Sequence, residues 1–121
     1  MKRRRAASEQ AVQRAIFQHL RARGAPGVFA FHPANGGYRK PVEAAIMKGL
    51  GVTAGAPDVL LWCGGKSFAM ELKSEDGRVS EARSDMLIRL SEAGVVIAVC
   101  HGIDHAMARL ESWQLLKGRI Q

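Results

Sequence analysis

The stretch from Pro57 to Lys73 constrains the fold more than any other part of the chain. Two runs, Pro57 to Trp62 and Lys66 to Lys73, are rich in apolar residues at period-two spacing, and Gly64-Gly65 separates them. A glycine pair supplies the positive φ angles of a tight turn, so the segment predicts an antiparallel β-hairpin. A two-residue turn pairs Cys63 with Lys66, and residue numbers in every later pair sum to 129. A four-residue loop keeps that sum, whereas an odd-length loop or a bulge breaks it. In this register Val59, Leu61, Phe68 and Met70 form one apolar face, and Asp58 lies directly opposite Glu71 on the other. Opposed side chains have Cβ atoms roughly 4.5–5.5 Å apart, where like charges are destabilising. A cation must therefore sit between them. Two candidates offer themselves: a divalent metal ion, and Lys73, two residues after Glu71 on the same face. Carboxylates at this separation suit Mg²⁺, which takes one or two protein carboxylates and keeps its other positions for water and phosphate oxygen.

The remaining segments alternate in type. Ser8 caps a predicted helix to about Arg23, ended by Gly24 and Pro26. Val28 to His32 reads as a strand, Pro33 to Arg39 as a loop, and Pro41 to Lys48 as a helix with proline in its first turn. After the hairpin come a helix from Ser80 to about Ala93, a strand from Val95 to Val99, and a helix from Ile103 to about Lys117. The predicted order is α-β-α-β-β-α-β-α. It implies an α/β fold in which helices flank a mixed sheet. Residues 1–7 read as a basic flexible arm and residues 8–121 as a single domain.

Charge narrows the partner. The 121 residues carry eighteen Lys and Arg against eleven Asp and Glu, a net charge of +7. Lys2, Arg3, Arg4 and Arg5 supply four of those cations, so residues 6–121 hold fourteen against eleven, a net +3. The excess points to a polyanion, with the arm adding nonspecific, salt-sensitive affinity. No apolar run approaches the ~18 residues of a membrane span, and no apolar signal core follows the basic start, so a soluble, cytoplasmic protein with no membrane partner is expected. Cys63 and Cys100 lack any CxxC spacing and read as small buried hydrophobes.

Two further charged residues fall on helix faces that should be apolar. Glu9 aligns with Val12, Ile16 and Leu20. It is either a third carboxylate turned toward the sheet or a first-turn acid favoured by the helix dipole and reaching solvent. Arg83 aligns with Met86, Leu87 and Leu90 and is either a guanidinium turned toward the buried side or a snorkelling surface residue. Ser80 reads first as a helix cap and second as a phosphate contact. His32, Asn35, Gly36 and Gly37 form a turn whose small residues would let backbone N–H groups approach phosphate. Tyr38, Arg39 and Lys40 interleave an aromatic ring with two cations, which suits nucleic-acid backbone contact or base stacking as well as an exposed polar loop. His101 and His105 have helical ligand spacing without a carboxylate of the zinc-protease type, and read as helix-start histidines. Trp62 and Trp113 read as core or interface residues.

Pro57-Asp58, twelve intervening residues, and then Glu71-Leu72-Lys73 resemble the PD-(D/E)xK nuclease superfamily. Gly55-Ala56-Pro57-Asp58, the helix bearing Glu9, the loop His32-Pro33-Ala34-Asn35-Gly36-Gly37 and the segment Gly77-Arg78-Val79-Ser80 resemble its VRR-NUC branch. The likeness runs from about residue 8 to residue 110. It implies a restriction-endonuclease-like fold and a nuclease that hydrolyses DNA phosphodiesters with Mg²⁺ or Mn²⁺. Asp58, Glu71 and Glu9 match the family's metal-binding acids, and Lys73 its catalytic lysine. Beside two carboxylates Lys73 should stay protonated, which favours charge stabilisation and water orientation over a general-base role. The family commonly has glutamine where this chain has Arg83, which would contact the scissile phosphate or disturb metal binding. The resemblance is to stand-alone phage and bacterial proteins similar to Holliday-junction resolvases. Cutting both strands of a branched substrate requires two sites, so a homodimer is expected. The rival reading is a noncatalytic nucleic-acid-binding module that keeps the nuclease fold. A site-specific restriction-like endonuclease would need a recognition element that so short a chain does not reveal.

Overall fold

The computed structural model describes residues 8–34 and 40–118. Its elements follow the predicted order: α1 (Glu9–Arg23), β1 (Phe29–Phe31), α2 (Pro41–Gly49), β2 (Val59–Cys63), β3 (Lys66–Lys73), α3 (Glu81–Glu92), β4 (Val96–His101) and α4 (Ile103–Ser112). The four strands lie in the order β1-β2-β3-β4. β1, β2 and β3 are successively antiparallel, and β4 joins β3 in parallel after crossing through α3. The Gly64-Gly65 turn has φ of 57° and 79°, the two positive values that a tight primed hairpin turn requires. Pairing runs from Cys63↔Lys66 to Val59↔Met70, the register expected from the turn.

One sheet face carries the core. Val59, Leu61, Phe68, Met70 and Leu72 pack there with Val12 and Ile16 of α1 and with Ala106, Met107 and Leu110 of α4. Each fully buried aliphatic side chain of this kind contributes roughly 1.5–3 kcal/mol by leaving water. Trp113 closes the cluster against Phe68, with ring centroids 5.0 Å apart. α3 lies over the opposite face, where Leu87 is buried and Arg83 reaches Glu71. Beyond the cover of α3, Phe31 and Trp62 stack at the β1 edge with Phe29 tilted against both, and all three rings remain substantially exposed.

Two expectations need correction. The last helix ends at Ser112, not near Lys117. Gln114 turns the chain with a positive φ of 64°, and Leu116 then forms an antiparallel bridge with Gly24. Leu115 and Leu116 are thus buried by pairing against the end of α1, an alternative to the helix that their apolar character alone does not reveal. Cys100 is buried, and burial pushes its thiol up to about 11; Cys63 is only half-buried, its Sγ 3.7 Å from the Pro26 carbonyl oxygen. Among the described residues no helix is long and apolar enough to cross a membrane.

Candidate active site

The hairpin brings its two acids together at the end remote from the turn. Asp58 immediately precedes β2, and its Oδ2 accepts the Leu72 N–H of β3 at 2.8 Å. The side chain thereby takes a donor on the neighbouring strand and anchors the carboxyl beside Glu71. The Asp58 carbonyl accepts from His32 Nδ1 at 2.6 Å, which ties the exit of β1 to the same point. Glu71 follows in register on β3 and is 1% exposed.

The positive partner of this pair is Arg83, not Lys73. Arg83 Nη1 lies 3.1 Å from both Oε1 and Oε2 of Glu71. Lys73 shares the Glu71 face of β3 but makes no ion pair among the described residues. Burial drives the Glu71 carboxyl up from 4.5 to about 7; its hydrogen bond to Asp58 and the charge of Asp58 add to the rise, while Arg83 opposes it. Two neighbouring carboxyls are a donor set of hard oxygens for a divalent cation, so Asp58 and Glu71 fit Mg²⁺ or Mn²⁺ in ligand chemistry.

Local sequence explains how Arg83 arrives there. Ser80 Oγ accepts the Arg83 N–H at 3.3 Å and caps α3, so its first reading holds. Gly55, at φ 82°, lies so near the same turn that an added Cβ would meet the Ala82 carbonyl oxygen at 3.4 Å and Arg83 Cα at 3.5 Å. At Gly77 a Cβ would come 2.8 Å from Ser74 Oγ, and this tight return after β3 delivers the chain to the cap. The glycines of both motifs therefore seat the first turn of α3 against the acids.

Glu9 lies at the start of α1. Ser8 caps α1 by accepting the Ala11 N–H at 3.1 Å, and Glu9 in the first turn is exposed. Its charge is felt at Arg83 along with those of Glu71 and Asp58. Among the described residues no three His, Cys, Asp or Glu side chains gather closely enough to hold a metal. Lys40 is exposed at the start of α2, while Asn35, Gly36, Gly37, Tyr38 and Arg39 lie outside the described residues. His101 and His105 stack, and each uses Nδ1 locally: His105 accepts the His101 N–H at 3.0 Å, and His101 binds the Ser74 carbonyl at 2.8 Å.

His32 is the neighbour that sequence reasoning did not attach to Asp58. The missing step was the β1–β2 register, Phe31↔Leu60, which sets the residue after β1 beside the start of β2.

The VRR-NUC domain, a nuclease-type domain whose members are generally nucleases, matches residues 5–104. A solved VRR_NUC domain protein has the same fold, with a TM-score of 0.75 over 94% of each chain at 21% identity. No curated protein matches the chain. With the domain spanning most of the sequence and the fold matching throughout, the chain belongs to the VRR-NUC family.

Proposed function

We propose that the protein is a metal-dependent DNA endonuclease that acts on branched DNA, including Holliday junctions, as a homodimer. The observation that carries this reading is the Asp58–Glu71 acid pair, with Lys73 following on the same strand face. Asp58 and Glu71 would hold Mg²⁺ or Mn²⁺, with Glu9 approaching from α1. The ion, when bound, lowers the pKa of water toward neutrality and neutralises charge on the phosphate.

The protein's own side chains supply the rest. Asp58 is oriented by the Leu72 N–H and by the backbone anchor at His32. The Lys73 ammonium would orient the attacking water and offset charge developing on the phosphate oxygens, the usual source of rate in such displacements. Arg83 and Ser80 at the start of α3, together with Lys40 and with Asn35, Tyr38 and Arg39 earlier in the sequence, would bind the DNA backbone. The exposed rings of Phe29, Phe31 and Trp62 support a face for the second copy, since clustered aromatics exposed on one face are characteristic of interfaces.

One observation favours a second reading, a noncatalytic nucleic-acid-binding module: Arg83 engages both oxygens of Glu71. Both readings give salt-dependent DNA binding, so cleavage separates them. Linear, nicked, flap, forked and four-way-junction DNA should be incubated with Mg²⁺ or Mn²⁺. The nuclease reading expects strand scission that Glu71→Ala abolishes while binding persists. Binding without scission on every substrate under both metals would sink it.

A further inference from the structure

The guanidinium of Arg83 is used at one end only. Nη1 bridges the two oxygens of Glu71, and among the described residues Nε and Nη2 have no hydrogen-bond partner. The Arg83 side chain is 38% exposed while that of Glu71 is 1% exposed. Arg83 thus spans from a buried carboxylate to the surface, with its remaining N–H donors free for an anion. A guanidinium presents its donors in a planar fork that suits phosphate oxygens.

The same geometry bears on the metal. Arg83 already takes a lone-pair site on each oxygen of Glu71, so a divalent ion that ligates Glu71 has to share the carboxylate with a guanidinium. If Arg83 stayed in place, that ion would meet a fixed positive charge sharing the same small carboxylate. Either cation can neutralise Glu71, and each disfavours the other.

We propose that Arg83 is a built-in competitor of the divalent ion: it holds Glu71 in the absence of DNA and is drawn away by an incoming phosphate, so that metal and DNA bind cooperatively. The proposal rests on the nuclease reading and gives Arg83 a positioning role in it. Coupling of this kind is reciprocal, so DNA must tighten metal binding by the same factor by which metal tightens DNA binding.

The test is Mn²⁺ binding to the full chain, measured by calorimetry at constant ionic strength with and without a phosphorothioate duplex that resists cleavage. For the wild type, the duplex should lower the Mn²⁺ Kd at least tenfold. Arg83→Gln should bind Mn²⁺ at least tenfold more tightly than wild type without DNA, and the effect of the duplex should shrink below threefold. Arg83→Lys keeps the charge but loses the fork, and should fall between the two. Circular dichroism checks that each variant is folded. Should Arg83→Gln fail to fold, the Arg83→Lys shift and the reciprocity in wild type decide the matter. Equal Mn²⁺ affinity in wild type and folded variants, or a wild-type affinity indifferent to DNA, overturns the proposal. If that result comes with DNA cleavage by the wild type, the nuclease reading survives; if no protein binds Mn²⁺ and none cleaves, both fail.

Discussion

Glu71 and Arg83 are twelve residues apart in sequence, and one nitrogen of the guanidinium lies 3.1 Å from each oxygen of the carboxylate. The acid belongs to a central strand and the base to the first turn of the helix that crosses above it. Removing either partner leaves the other uncompensated in a poorly solvated place, a change that commonly costs 3–5 kcal/mol where both groups are buried and less where one, like Arg83, is partly exposed.

Asp58 combines a structural hydrogen bond with its proposed role at the metal, and the two can be separated. Asp58→Asn retains an oxygen to accept the Leu72 N–H, so stability in urea should change by less than about 1 kcal/mol. Asp58→Ala strands that donor and should cost about 1–3 kcal/mol. Cleavage should fall by about 100-fold or more in both variants. An Asn variant with wild-type cleavage rates would remove Asp58 from the chemistry.

Lys73→Arg keeps a positive charge on the same strand face but cannot lose a proton near neutral pH. If the ammonium acts by charge and water orientation, the single-turnover rate should stay within about tenfold of wild type, with the same pH profile. A general base replaced in this way should cost about 10²–10⁴-fold. A loss in that range would restore the base assignment.

In metal-free buffer the protein should lose stability as pH rises from 4.5 to 7. The Glu71 carboxyl titrates near 4.5 when unfolded and at about 7 when folded. Between those values the native state holds a proton that the unfolded chain has released, so raising the pH favours unfolding. Below 4.5 both states are protonated and above about 7 both are ionised, and the contribution levels off at each end. Urea midpoints across this interval, compared with Glu71→Gln, measure it. The contribution, on the order of a few kcal/mol, should disappear in the variant.

The aromatic edge gives a test of assembly. Phe29→Glu and Trp62→Ser alter exposed rings on the face opposite the core, so both variants should fold. Sedimentation at micromolar concentration should show dimers for the wild type and monomers for Phe29→Glu. A monomeric wild type would count heavily against the homodimer.

The hairpin was legible because everything that sets it is local. Two glycines determine the turn, the turn determines the register, and the register places Asp58 and Glu71 at the same end. Arg83 was half legible. Its helical spacing turned it toward the buried side, but the group it meets depends on where α3 settles across β3 and β4, and no local pattern carries that. The same limit explains the last helix. Leu115 and Leu116 are apolar enough to continue it, and what stops it is a partner at Arg23 and Gly24, some ninety positions earlier.

The Gly64-Gly65 turn lies at the other end of the hairpin from the acids. Five residues of β2 at roughly 3.4 Å each separate the two by about 17 Å. A Cβ added at either glycine would meet nothing within 4 Å. The turn end of this hairpin therefore has open space around it, although both glycines hold positive φ and are kept in any insertion. A dye or short peptide spliced into the turn in even-numbered steps would leave the strands in step and give a handle for watching the protein engage DNA from outside its chemistry.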